Sequence, residues 1–227
     1  MRINKYLAHK GSATRREADL LIEKGLVFVN GKKAELGQSV EETDKVEVRN
    51  RKQKEYVYLA YNKPTGIVTH SSQYDEQEIK DVLNIKDVFP VGRLDKNSHG
   101  LIILTNDGRI TDRLLNPAFE HEKEYEVTTK DRLRSSFKEK MEQGVSIEGY
   151  KTKPVKIELL GENKFRITLT EGKRHQIRRM VVALFNEVTG LKRTRVLNIK
   201  LKNLKPGEYR PIEGKELKDF LKQLNLA

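Results

Sequence analysis

Three short stretches of this chain carry side chains whose types and spacing could do chemistry. The first, VGRLDKNSHGLIILTNDG (residues 91–108), sets Asp95 between a basic turn and an apolar run. An aspartate beside glycine commonly just closes a turn; on the lip of a strand written for burial, it could instead be aimed into a pocket. The second, EKEYEV (122–127), places Tyr125 in an alternating stretch, where an aromatic residue serves either as core or as a ring facing a ligand. The third, EGKRHQIRRM (171–180), leaves a glycine and enters a helix with Lys173, Arg174, His175, Gln176, Ile177, Arg178 and Arg179 close together. Free N–H groups at a helix start favour anions, and arginine forks onto phosphate or carboxylate. The same basic residues would also suit a solvated helix start.

Competing chemistries are poorly represented. There are no cysteines, which excludes disulfides, thiolate nucleophiles and cysteine-held zinc. The five histidines are scattered, with no pair at ligand spacing, so no metal is expected. The chain has no Walker loop, dinucleotide glycine fingerprint or serine elbow. A methyltransferase would want a glycine-rich cofactor loop. A glycosidase would want a second carboxylate, for which Glu124 and Asp107 are the candidates.

The elements that must position these residues divide into two parts. Residues 1–48 read as a minimal module. Thr14 and Glu17 have capping-box spacing, Gly25 stands where a helix ends, and Asn30-Gly31 after Val-Phe-Val signals a hairpin. Arg2, Lys5, Arg15 and Arg16 give this module a candidate phosphate-binding face. The polar run at 49–55 reads as a basic linker. From 56 to 227 strand-like and helix-like stretches alternate irregularly. Strands are expected at 56–61, 101–104, 124–128, 157–160 and 165–169, and helices near 110–115, 133–141 and 175–185. Hairpin-length turns between them predict an α+β fold on a mixed or antiparallel sheet.

The formal charge of +12 over 227 residues and a pI near 9.6 point to a polyanionic partner. Mean hydropathy is −0.70, no apolar run approaches the ~18 residues of a membrane span, and MRINKYLAHKG lacks a signal-peptide core. A cytoplasmic protein without membrane contact is expected.

RINKYLAHKGSATRREADLLIEKGLVFVNGKKA resembles an S4 RNA-binding domain. Together with VGRLDKNSHGLIILTNDG, EKEYEV, GKRHQIRRM and LKPGEYR, in that order, the chain resembles the RsuA/RluB/RluE/RluF family of rRNA pseudouridine synthases. The resemblance implies isomerisation of uridine to pseudouridine in ribosomal RNA by a cofactor-free, metal-free enzyme, here expected to be a monomer. It implies that Asp95 is the catalytic aspartate, Tyr125 the active-site tyrosine and Arg178 the basic residue paired with Asp95. Ile177 would supply pocket wall, and Arg93, Lys173, Arg174 and Arg179 would hold RNA phosphates. The segment 194–199 is similar to the RluF-like branch, which favours large-subunit rRNA. The other reading is a non-catalytic RNA-binding ribosome-assembly factor on the same fold.

Overall fold

The computed structural model describes residues 1–49, 55–71 and 76–226. Most of the expected linker, residues 50–54, lies outside the described residues. The N-terminal part comprises α1 (Ile3–His9), α2 (Arg15–Glu23), β1 (Val27–Val29), β2 (Lys32–Lys33) and β3 (Val46–Val48). The capping box forms: Glu17 N donates to Thr14 Oγ1 at 3.1 Å and Thr14 N to the Glu17 carboxylate at 2.9 Å. Asn30 and Gly31 take φ of 49° and 82°, the left-handed pair that a tight hairpin turn needs. Ile3, Leu7, Ala18, Ile22, Val27 and Val29 close a small core of their own.

The remaining elements are β4 (Tyr58–Lys63), α3 (Ile79–Val82), β5 (Phe89–Val91), β6 (His99–Thr105), α4 (Arg109–Leu115), a 3-10 turn (Pro117–Phe119) and β7 (Lys123–Thr129). They continue with α5 (Phe137–Glu142), β8 (Ser146–Ile147), β9 (Tyr150–Lys151), β10 (Lys156–Gly161), β11 (Lys164–Leu169) and α6 (Gln176–Ala183). The chain ends with β12 (Val188–Val196), β13 (Ile199–Lys200), β14 (Tyr209–Pro211) and α7 (Gly214–Gln223).

One sheet runs in the order β10-β11-β7-β12-β6-β4-β14, with β13 paired to β12 and β5 to β6. Every pairing is antiparallel except β12 with β6, which is parallel and joins two antiparallel halves. The halves carry different cores. Phe137, Met141, Met180 and Val181 from α5 and α6 pack on Val127, Phe165, Ile167 and Leu191. Ile110, Leu114 and Phe220 from α4 and α7 pack on Tyr58, Ala60, Leu101 and Ile103. Leu101 and Ile103 of β6 belong to that second core, while Ile102 and Leu104 enter a third with Leu59, Tyr61 and Ile79. A strand covered on both faces reads as an unbroken apolar run, which is how Leu-Ile-Ile-Leu reads.

The structure departs from sequence expectation in several places, the helix α7 among them. The helix expected over 133–141 begins only at Phe137; Leu133 packs against the core from the preceding irregular segment. The long central strand β12 was not anticipated at all.

At the seam, Gly100 of β6 lies opposite Arg193 of β12. Its φ is +106°, and a Cβ there would collide with the Arg193 backbone. Only glycine meets both demands. Gly100→Ala should therefore cost about 3 kcal/mol or more in urea unfolding. A variant as stable as the parent would show that the seam can open at no cost.

Candidate active site

Asp95 sits in the irregular segment between β5 and β6, and nearly every polar group around it is tied down. Ser98 N donates to Asp95 O at 3.0 Å, closing the turn. The hydroxyl of Thr69 donates to Leu94 O and accepts from Leu94 N, at 2.9 and 3.0 Å. Gly66 N donates to Lys96 O. Beneath the turn lies Lys63, with no exposed surface. Its ammonium donates to the carbonyls of Pro64, Ile67 and Ser98 at 2.9, 2.6 and 2.9 Å. Three donors matched to three carbonyls satisfy the buried group. Burial pushes Lys63 down to about 8, Arg193 adds to the shift, and the Asp95 carboxylate opposes it.

The Asp95 side chain opens into a cleft of about 350 Å³. It is 41% exposed, and its Oδ1 lies 3.4 Å from His175 Nε2. His175 takes φ +52° immediately before α6, a left-handed kink that marks a constrained position for a non-glycine residue. Sequence reading placed His175 in the right segment but gave it no partner.

Of the residues singled out from sequence, Arg93, Asp95, Tyr125, Lys173, Arg174 and Ile177 all line this cleft. They come from three segments far apart in the chain. Tyr125 is half-buried on β7, paired with Ile167 of β11 on one side and Arg193 of β12 on the other. Ile177, Leu169 and Leu191 provide apolar wall. Arg93, Lys173 and Arg174 are exposed at the mouth. Two cationic lining residues, Lys123 and Arg193, carried no site expectation from sequence. Lys123 is pushed down to about 8, by burial first and then by Arg193.

Two expectations need correction. Arg178 makes no ion pair with Asp95. Its guanidinium donates to Val188 O and Asn97 O, both at 3.1 Å, and to Ser98 Oγ at 3.4 Å. Its fork is thus occupied by the backbone of the turn that carries Asp95 and by the start of β12. Arg179 is likewise turned away from the cleft: it pairs with Glu148 at 2.5 Å and donates to Arg174 O. The two alternative carboxylates are also engaged elsewhere. Asp107 is fully buried, accepting from Tyr58 OH at 2.6 Å and from Arg109. Glu124 is bonded to Thr194 and Arg195. Among the described residues no cluster of three or more His, Asp or Glu could hold a metal ion, and no helix is long and apolar enough to cross a membrane.

A second groove, of about 1100 Å³, runs between the N-terminal module and the larger part and is lined by Lys5, Arg15, Arg109, Arg113 and Phe119. Leu115 and Pro117 border both the groove and the cleft. Arg113 donates to His9 O at 2.7 Å and Arg109 to Gly11 O at 3.2 Å, fastening the module beside the site. Arg2 and Arg16 are exposed on the module.

The two depressed lysines have a measurable consequence. Their folded pKa near 8 lies below the unfolded 10.5, so between these values the unfolded chain binds more protons and stability rises with pH. From pH 7.5 to 9.5 urea unfolding should strengthen, by on the order of 2 kcal/mol per lysine. Above about pH 10 the elevated Tyr58 hydroxyl reverses the trend. Lys123→Met should remove about half of the rise, and a flat profile in the parent protein would contradict the burial of both ammonium groups.

The S4 domain family matches residues 1–46, and the family described as RNA pseudouridylate synthase matches residues 57–183. The chain is 42% identical to the dual-specificity RNA pseudouridine synthase RluF of Escherichia coli, over 98% of this chain and 79% of that protein. It is 36% identical to the ribosomal large subunit pseudouridine synthase B of Bacillus subtilis, over 96% and 94%. A crystal structure of a pseudouridylate synthase superposes with a TM-score of 0.71 at 29% identity, covering 99% of both chains. With a full-length match in sequence and fold, and an aspartate and a tyrosine sharing one cation-rimmed cleft, the chain belongs to the RNA pseudouridine synthases that carry an N-terminal S4 domain.

Proposed function

We propose that the RNA this enzyme isomerises is ribosomal RNA, large-subunit RNA being favoured, with residues 1–48 as the RNA-binding module and 56–227 as the catalytic domain. The observation that carries the reading is the cleft itself, where Asp95 and Tyr125 meet under the exposed cations Arg93, Lys173 and Arg174. The names of the relatives, one acting on the large ribosomal subunit, and the RluF-like segment 194–199 support the choice of substrate.

The target carbon is unreachable in a stacked helix, so the uridine is swung out into the cleft. Phosphates on either side are held at the mouth, where contacts position the RNA without reading it. Tyr125 packs against the extruded ring, a contact worth ~1–3 kcal/mol. Asp95 then promotes exchange of the N1–C1′ bond for a C5–C1′ bond. This rearrangement is redox-neutral and uses no cofactor. Arg178 serves as a positioning residue, holding the Asp95 turn through its carbonyls, and His175 is the group nearest the carboxylate. The enzyme acts as a monomer in the cytoplasm.

A pseudouridine map of rRNA from cells lacking this protein tests the reading. One site should vanish, return with the native chain and stay absent with Asp95→Asn. Survival of every pseudouridine would place the substrate outside rRNA or make the chain an assembly factor. The basic face of the module is tested separately. Replacing Arg15 and Arg16 by alanine should weaken RNA binding about tenfold and flatten the salt dependence by roughly one to two counterions. Unchanged binding would remove these arginines from the RNA interface.

A further inference from the structure

The cleft holds two cations to which the reading above gives no role. Lys123 stands two residues before Tyr125 on β7, so both side chains leave the sheet on one face. Arg193 is the cross-strand partner of Tyr125, and opposed residues also share a face. All three line the cleft. Arg193 is only 5% exposed, and its Nε donates to Leu101 O at 2.6 Å. The Lys123 ammonium donates to His121 O at 3.0 Å.

Neither cation forms an ion pair among the described residues. The cleft has just two carboxylates to offer, and both are engaged. Asp95 lies beside His175 and is the reacting group. Glu171 is buried and accepts from Gln176 Nε2 at 2.5 Å and Lys153 N at 3.1 Å. A buried cation and a half-buried one in the same cleft without a counterion are costly. The repulsion is visible in Lys123, whose proton is loosened by burial and by Arg193. Such an arrangement is sustained where negative charge arrives during turnover, because fixed charges in a dry site then stabilise it strongly.

Phosphate is the wrong anion for this position. The exposed cations stand at the mouth, whereas Lys123 and Arg193 flank Tyr125 on the sheet, where the extruded base comes to rest. The chemistry puts charge on that base. When N1–C1′ breaks, its electron pair stays on the pyrimidine, delocalised over N1, O2 and O4. Asp95 meanwhile bonds C1′ or removes a ribose proton. C5 then bonds C1′ as the Asp95–C1′ bond breaks, or as the proton held by Asp95 returns to the ribose; the C5 proton leaves to solvent and N1 takes up a proton, so the product is neutral and Asp95 is regenerated. If Asp95 adds to C6 first, the displaced pair goes to O4 as an enolate. Each route places negative charge on the ring.

We propose that Lys123 and Arg193 form an electrostatic floor that stabilises the pyrimidine anion formed when uridine is rearranged. The inference rests on the pseudouridine synthase reading and names two further groups acting on the reacting base. Both side chains are donors only. They therefore also suit the two carbonyls of uracil and oppose the 4-amino group of cytosine, since a mismatched polar site rejects the wrong base.

Single-turnover rates at saturating enzyme test this, on an RNA fragment bearing the mapped uridine and on the same fragment with 5-fluorouridine at that position. Fluorine withdraws electrons and stabilises the ring anion without the protein's help; loss of the original nucleoside is the readout for both. Lys123→Met should slow uridine about 100-fold while RNA affinity changes less than about threefold. With 5-fluorouridine the same variant should lose only about tenfold, and Lys123→Arg should recover most of the rate. Equal losses on both substrates would overturn the proposal in favour of a structural role. Weakened RNA binding with an unchanged rate would overturn it in favour of a phosphate contact. Should Lys123→Met fail to fold, Lys123→Gln gives the same comparison. Failure of the parent protein to isomerise any uridine would instead refute the parent reading.

Discussion

The parallel pairing of β6 with β12 is the constraint on which the rest of this molecule depends. It spans only two residue pairs, His99 with Lys192 and Gly100 with Arg193, yet among the described residues it is the strand pairing that joins the two antiparallel half-sheets, with Val196 and Ile199 reaching across into the core of the other half. Asp95 enters from one half, in the segment leading to β6. Tyr125 stands on β7 of the other half, beside β12. A cleft at the point where two strand sets meet is a recurrent location for ligands in sheets, and here the seam sets the separation of acid and tyrosine. The absence of a side chain at position 100 is what lets the halves approach. Gly100 is thus a geometric requirement of the active site although it touches no substrate.

With the halves joined, the orientation of Asp95 still has to be fixed, and the molecule does this through backbone rather than through the carboxylate. Lys63, Thr69, Gly66 and Arg178 together grip residues 94, 96, 97 and 98. Among the described residues the carboxylate has His175 as its one ion-pair partner, which leaves its oxygens open to the proposed reaction. A bidentate arginine on Asp95 would hold it more firmly, but would also occupy the oxygens that the proposed reaction uses. Clamping the turn achieves pre-organisation of the kind catalytic groups need and leaves the group itself open. Lys63 shows the same logic in its energetics. A buried ammonium is expensive unless every proton finds an acceptor; the turn after β4 supplies the carbonyls of Pro64 and Ile67 and the Asp95 turn supplies that of Ser98.

Where local rules govern, the sequence was legible. The capping box at Thr14, the Asn30-Gly31 hairpin and the buried run of β6 each follow from a few neighbouring residues. So does the gathering of Asp95, Tyr125, Lys173, Arg174 and Ile177, once three separate motifs are taken to describe one site. What escaped depends on long-range geometry. β12 alternates imperfectly because its register against β7 shifts between Val188 and Gly190 and again between Arg193 and Arg195; each bulge breaks the two-residue period. Lys63 falls just beyond the strand expected over 56–61, and nothing local told that carbonyls from two separate turns would enclose it. The partner expected for Arg178 failed for a related reason. Which acceptor a helical arginine meets depends on the helix's rotation against neighbouring turns, and the sequence of α6 does not encode that alone.

The same arginine-to-carbonyl device recurs where the RNA-binding module meets the catalytic part. Arg113 spans His9 O on the module and Leu224 O and Asn225 O at the end of α7, and Arg109 adds Gly11 O while paired with Asp107. Asp107 in turn lies within β6's turn and accepts from Tyr58, so the clasp is rooted in the half-sheet that carries Asp95. Carbonyl acceptors hold Arg113 without cancelling its charge, whereas Arg109 is neutralised by Asp107. RNA held by the module would lie beside a groove lined by Lys5, Arg15 and Arg113 that borders the cleft at Leu115 and Pro117. A second binding event tethered this way costs less than an independent one, provided that the geometry spans both sites. The clasp supplies that geometry, and it explains why a module with so small a core is worth fastening by two arginines rather than leaving on a free tether.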